Sequence, residues 1–344
     1  MTWHCTASVS ASPGQSCLAY DGVFLDGHWV LRGSQALFGW DGRSGRLAWT
    51  IGFEDDRPFA MKRLCTTAAG SAVTMIVTDA AGPKPLFAVD PASGRELWHR
   101  EYLVEPSQVG LVASGNSVFV HGRNRESKFY LLHIDGLTGE LLADIPSPSG
   151  RGIYASGAHL YLHGQEEGVF HTDCETLAWQ RHPVQSMGHL AVRYGQLYFF
   201  RKAKAGTGPW ELAWWDACEA RELISLTSDL PQSMLMALTP EPGQVVLYLD
   251  KLGIEMIDMR EGRSLWTVEV PADDRLRAVV WTPHGLVVAI KSRVAGGLIE
   301  IRDPATGAVR EAFTLDEHDP SRLYWSGAQL LVSSVSGLHA FEPT

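Results

Sequence analysis

The sequence predicts an all-β chain: an eight-bladed β-propeller of four-stranded antiparallel blades, with an N-terminal strand closing the last blade. Three observations predict it. A strand–turn–strand phrase returns along the whole chain, a second apolar strand precedes each copy, and the N-terminus holds the piece that the final copy lacks. The phrase is plainest at residues 86–98, Leu-Phe-Ala-Val-Asp-Pro-Ala-Ser-Gly-Arg-Glu-Leu-Trp. Asp90 can accept bonds from the backbone that follows it, Pro91 presets φ, and Gly94 accepts φ > 0. The middle of the phrase is therefore a hairpin turn by mechanism.

Taken in order, blade one enters through Ser12-Pro13-Gly14 and the apolar strand Trp29-Val30-Leu31. It then gives Leu37-Phe38-Gly39-Trp40-Asp41, with Gly45 four residues and Trp49 eight residues after the Asp. Blade two carries Met75-Ile76-Val77 and the phrase itself. Blade three has Val118-Phe119-Val120, a charged run at 123–128, and Asp135 with Gly139 but Ala143 in the Trp place. Blade four, the shortest, has Leu160-Tyr161-Leu162 and Asp173; its turn reads as two residues short, so that Trp179 arrives early. Blade five has Leu197-Tyr198-Phe199, a flexible insertion at 201–209, and Asp216 with Ala220 for Gly and Ile224 for Trp. Blade six repeats the full pattern with Val245-Val246-Leu247, Asp258, Gly262 and Trp266. Blade seven has Leu286-Val287-Val288, Asp303, Pro304 and Gly307. Blade eight has Leu330-Leu331-Val332 and Leu338-His339-Ala340-Phe341-Glu342, and stops at Thr344.

The seven Asp positions (41, 90, 135, 173, 216, 258, 303) are separated by 49, 45, 38, 43, 42 and 45 residues. A period of this size built from short strands specifies propeller blades rather than a helical solenoid. Trp3-His4-Cys5-Thr6-Ala7-Ser8-Val9 has the character of a Trp-bearing outer strand with nothing in front of it. Residues 1–10 are thus expected to complete the blade begun near residue 321, which removes two sheet edges and makes 1–344 a single domain.

The phrase Leu-Phe-Ala-Val-Asp-Pro-Ala-Ser-Gly-Arg-Glu-Leu-Trp resembles the repeat of the pyrroloquinoline-quinone-type, quinoprotein-like β-propellers. That superfamily includes quinoprotein dehydrogenases, an outer-membrane assembly scaffold lipoprotein and sensor domains of bacterial kinases. The resemblance spans the chain and implies the fold, while function depends on the site. Quinone-binding members carry a vicinal Cys-Cys pair, a Glu-Asn-Asp calcium site and a stacking Trp. This chain has no adjacent cysteines, and its Trp214-Trp215 pair alternates faces on a strand. The expectation is a cofactor-less member.

Composition narrows the rest. No window of about 18 apolar residues exists, so no transmembrane helix is expected. The start Met1-Thr2-Trp3-His4-Cys5 lacks the basic and apolar regions of a signal peptide, which predicts a cytoplasmic protein. Five cysteines (5, 17, 65, 174, 218) without Cys-x-x-Cys spacing suit buried free thiols in a reducing compartment. A net charge of −10 opposes nucleic-acid binding, because phosphate attraction dominates such affinity.

Strand direction sorts the loops. In a meander the short Asp turns and the first-to-second turns emerge on one face, and the second-to-third turns and blade crossings emerge on the other. Variable loops on a rigid scaffold are where binding is built. The acidic crossings fall on the variable face: Glu54-Asp55-Asp56, Asp273-Asp274, and Asp316-Glu317 with Asp319. The candidate partner-binding residues are Asp55, Asp56, Asp273, Asp274, Asp316, Glu317 and Asp319, an acidic patch for a basic protein, against the plainer reading of solvated loops. Basic insertions at 123–128 and 201–204 lie further out on that face. His121/His163 and His133/His171 hold equivalent places in adjacent blades, which permits a two-histidine metal site but offers no third ligand in register; packing or rim roles are the simpler expectation. No Gly-x-Ser-x-Gly, phosphate-cradling loop or His-Glu-x-x-His is present. The expected function is a monomeric, non-catalytic scaffold without cofactor or metal that binds a protein, one version being an immunity protein that neutralises a toxin or effector. The competing expectation is an enzyme or small-molecule sensor using the central channel.

Overall fold

The computed structural model describes residues 3–10, 21–33, 36–52, 64–75, 83–103, 110–124, 126, 128–150, 152–164, 168–182, 190–193, 195–204, 207–216, 221–228, 235–249, 253–271, 273–315, 319–334 and 337–343. These residues form eight four-stranded antiparallel sheets and, among the described residues, no helix. Seven sheets are meanders of consecutive strands. In blade one, for example, Asp21–Leu25 lies innermost, followed by His28–Arg32, Ala36–Asp41 and the outer strand Arg46–Gly52. Blade eight begins with Pro320–Trp325, Leu330–Ser334 and Gly337–Pro343, and takes its outer strand from the N-terminus, Trp3–Ser10. Trp3 pairs with Pro343 and Ser10 with Gly337, so the ring closes as the sequence predicts.

The turn after each third strand follows from its Asp. Asp90 accepts from the backbone N–H of Ser93 at 2.8 Å and from its hydroxyl at 2.6 Å. Asp135 accepts from the N–H groups of Leu137 and Thr138, and Asp303 from those of Ala305 and Thr306. The N–H four residues on closes the loop on the Asp carbonyl, as Gly94 does on Asp90 at 2.9 Å. Bonds to the charged form, led by the Ser44 hydroxyl at Asp41, the Ser93 hydroxyl at Asp90 and the Arg310 guanidinium at Asp303, hold these carboxyls below the usual range.

The core is divided among the gaps between blades. Eight apolar clusters form among the described residues, and each draws from two neighbouring blades. The Asp turn takes part directly. Trp49 reaches from blade one to blade two and donates its indole N–H to the Pro91 carbonyl at 2.9 Å. Trp98 does the same to Gly136 of blade three at 2.8 Å, and Trp266 to Pro304 of blade seven at 2.9 Å. The turn glycines lie under these rings. A Cβ on Gly94, Gly139 or Gly307 would stand 2.5, 2.6 or 2.7 Å from the Trp of the preceding blade, and all three have φ near +70°. Glycine is needed there for two reasons, left-handed backbone and close approach.

Four expectations need correction. Trp3 does not occupy the repeat Trp position. In blades one, two and six that Trp pairs with the residue two before the Asp (Gly39, Ala88, Met256), whereas in blade eight Ala7 holds the corresponding register opposite Ala340. Trp3 instead lies edge-on to His284 and Trp325, between blades seven and eight. The blade-four turn is not shortened, because Leu177 takes the glycine place at φ 53° and closes on the Asp173 carbonyl at 3.0 Å. What is lost is the bulge after the turn, so His171 pairs directly with Gln180, and Trp179 packs backward against blade three. In the run at 201–209, residues 201–204 and 207–209 lengthen two strands, Gln196–Lys204 and Thr207–Asp216, with Arg201 bound to Glu211 and Glu222, while 205–206 lie outside the described residues. Of the cysteines described, Cys65 and Cys174 are buried thiols but Cys5 is exposed.

The histidines stack mainly on rings of their own blades, and His182 also reaches the next blade. His121 stacks on Phe129 with its Nε2 3.2 Å from the Pro148 carbonyl, and His133 stacks on Phe119 and meets the Ser117 hydroxyl. In blade four, His171 stacks on Tyr161, lies 3.1 Å from His159 Nδ1, and faces His182, which meets Trp215 of blade five edge-on. Burial pushes His121 down to about 4, and burial with the His159 and His182 rings pushes His171 down to about 4.

Three outcomes follow from this packing. Removing residues 1–10 leaves the Gly337–Pro343 strand unpaired, and calorimetry should record a clearly lower Tm with aggregation on heating; a truncated chain that melts with the full one contradicts the closure. Gly139→Ala should cost about 1–3 kcal/mol more than Gly115→Ala in denaturant unfolding, since only the first adds a clash to a φ penalty. For the histidines the folded value lies below the unfolded 6.5, so their contribution is whole above that pH and is lost as pH falls toward 4, at roughly 1.4 kcal/mol per unit of difference. The double variant His121→Phe/His171→Phe should flatten the fall of Tm between about pH 7 and about pH 4.5.

Candidate functional site

The meander places the second-to-third turns and the crossings on one face and the Asp turns on the other. On the variable face, three of the predicted acidic residues are described, and all three belong to blade seven or its crossings. Asp319, just ahead of the blade-eight inner strand, accepts from the Arg277 guanidinium at 3.3 and 3.4 Å and from Lys291 Nζ at 2.7 Å. Arg277 lies on the inner strand of blade seven (Arg275–Thr282) and Lys291 near the end of its second strand (Gly285–Ser292). Arg293, in the turn that follows, donates its backbone N–H to Asp274 at 3.1 Å and places its guanidinium 3.6 Å from Asp273. Next to it Val294 is 96% exposed at the tip of the turn.

The fold therefore brings Asp273, Asp274 and Asp319 together, but with cations between them. This part of the face is a mosaic of both signs rather than an acidic surface. Asp55, Asp56, Asp316 and Glu317 lie outside the described residues. The reading of the loops by charge runs missed Arg277, Lys291 and Arg293, because these sit at strand ends that only the register brings beside the crossings. Among the basic insertions, Arg123 lies over the Phe129 ring at 4.7 Å and Lys128 pairs with Glu126. His121 and His133 meet Phe129 and Phe119 of their own blade, and among the described residues no three His, Cys, Asp or Glu side chains converge to hold a metal ion.

A second feature lies at the opposite end of the channel. The last residues of four inner strands, with the turns that follow, line an open cavity of about 570 Å³. Arg193, Leu238, Trp281 and Trp325, from blades five to eight, line it together with Pro240 and Pro283. A signal for it exists in the sequence: Trp281 and Trp325 occupy the same register, each pairing with a Leu five residues on. The period that finds the blades does not find these residues, since they recur in two blades only.

No protein-family model matches the chain, and no curated protein does. Solved structures do match along its whole length. BamB from Moraxella catarrhalis is 14% identical with a TM-score of 0.65, covering 100% of this chain and 98% of that one. The computationally designed protein Ika8 is 15% identical with a TM-score of 0.71, covering 98% and 99%. The C-terminal WD40 domain of Sif2 is 9% identical with a TM-score of 0.68, covering 99% of each. At such identities the likeness is one of fold, and the chain is an eight-bladed β-propeller with natural and designed propellers as its structural neighbours.

Proposed function

We propose that this propeller is a non-catalytic protein-binding scaffold that docks a partner on the face of second-to-third turns and crossings. In its finer form the proposal is a cofactor-less relative of the quinoprotein-like repeat proteins, monomeric and cytoplasmic, that neutralises a toxin or effector as an immunity protein does. The observation that carries the reading is the charge cluster at blade seven. Asp319 accepts from two cations and Arg293 lies beside Asp273 and Asp274, so charged groups of both signs gather at blade seven with the exposed Val294 next to Arg293. An apolar side chain beside polar groups of both signs supports the reading of a protein contact. Asp55, Asp56, Asp316 and Glu317 add acidic charge to the crossings of neighbouring blades, and the net charge of −10 steers a basic partner toward the molecule.

The test begins with affinity capture from the native host and identification of the partner. Association is then followed by surface plasmon resonance at several salt concentrations. Asp273→Lys/Asp274→Lys should slow association, most at low salt, because screening sets in over about 8 Å at physiological ionic strength. Val294→Asp should weaken binding by about tenfold through faster dissociation. Glu96→Lys/Glu140→Lys, on exposed positions beside the Asp turns, should leave both rates unchanged. Equal effects from the two faces, or a partner seated on the Asp-turn face, overturn the assignment.

A further inference from the structure

We propose that the cavity at the Asp-turn end of the channel is a binding site for a small apolar anion, such as an aromatic carboxylate. It lies at the other end of the molecule from the partner face and does not rest on that reading. Its volume of about 570 Å³ falls within the range of small-molecule sites, which are apolar with a few placed polar groups. The walls are Trp281, Trp325, Val279, Val280, Leu238 and the two prolines, and Arg193 is the charged residue among the described lining residues.

Both kinds of wall are held in place. Arg193 Nη1 donates to the carbonyls of Leu238 at 3.3 Å and Thr239 at 2.6 Å, which fixes the guanidinium across the gap from blade five to blade six. Trp325 is braced edge-on by Trp3 at 6.0 Å and by His284 at 5.7 Å. A ligand thus meets a preformed site and orders little on entry. The ligand's charge follows from the same set. Indole faces attract cations, but here a cation would also meet the guanidinium in a channel of low polarity, where like charges repel more strongly than in water. A carboxylate gains from Arg193, while an aromatic body covers the two indoles.

The probe is 2-naphthoate, compared with the neutral 2-naphthylmethanol of similar shape, by isothermal titration calorimetry and by the shift in Tm. The wild-type chain should bind 2-naphthoate about tenfold more tightly than the alcohol and melt higher in its presence. Arg193→Gln should bind the two probes alike. Because Arg193 also ties two blades together, Ala237→Phe gives an independent readout: it fills the cavity from its wall and should abolish binding of both probes, and since Ala237 also packs against the core between blades six and seven, circular dichroism first establishes that the variant is folded. Absence of 2-naphthoate binding up to about 1 mM overturns the site. Unchanged binding in a folded Ala237→Phe overturns its location, and equal binding of acid and alcohol by the wild type overturns its preference for an anion.

Discussion

The contact on which the ring depends is the seat of an outer-strand tryptophan on the turn of the next blade. The indole spreads over a glycine that has no side chain to displace it, and its N–H finds the carbonyl of the residue after the Asp. A buried indole nitrogen left without a partner costs stability, so the bond also sets the distance and angle between sheets. The Asp that shapes the turn therefore acts twice. It satisfies the backbone of its own hairpin and so sets the place of the next residue's carbonyl, which receives the neighbour. Local turn chemistry and long-range assembly are the same few atoms.

Where a blade lacks that contact, another takes its place. Blade four has lost the bulge, and its Trp179 turns back toward blade three. The gap toward blade five is filled instead by Tyr161, His171 and His182 against Trp215, and Glu222 accepts from the Trp215 indole while also binding Arg201. Imidazole rings buried this way are neutral at ordinary pH, so this seam is held by stacking rather than charge. The closure seam differs again. Leu331, Leu338 and Ala340 of blade eight pack on Trp29, Leu31 and Trp40 of blade one, joining strands distant in sequence.

A ring stabilised between its blades leaves both of its faces available. On the Asp-turn face the turns at Gly94, Gly139 and Gly307 have little room to diverge, because the tryptophan of the preceding blade rests on each. Among the described residues of the crossings and second-to-third turns, charged side chains of both signs collect at blade seven. At the channel the eight inner strands meet without a partner strand on their inner side, and bulky side chains at their ends, Trp281 and Trp325 among them, decide what space remains. The surface proposed for a macromolecule and the recess proposed for a small ligand thus lie on opposite faces of one scaffold.

The repeat, the number of blades and the closure by the N-terminal strand were legible in the sequence, because each rests on residues whose conformational preference is local: Asp and Gly in a turn, alternating apolar residues in a strand. The register within the closing strand was not. Trp3 and Ala7 lie on one strand, and only pairing against Ala340 and Pro343 decides which holds the repeat position. The same holds for Leu177, a residue without preference for positive φ that adopts it because the hairpin around it demands a closed turn. At the candidate surface the acidic crossings could be read as runs of charge, but their partners Arg277, Lys291 and Arg293 come from strand ends whose proximity is a product of pairing. The cavity depends on four blades at once, and its one trace in the sequence, the shared place of Trp281 and Trp325 five residues before a Leu, does not by itself form it. What the chain determined by itself was the repeating unit, through the short-range chemistry of its turns; what tertiary structure decided was every contact made between units, because such contacts depend on which faces the closed ring turns toward one another.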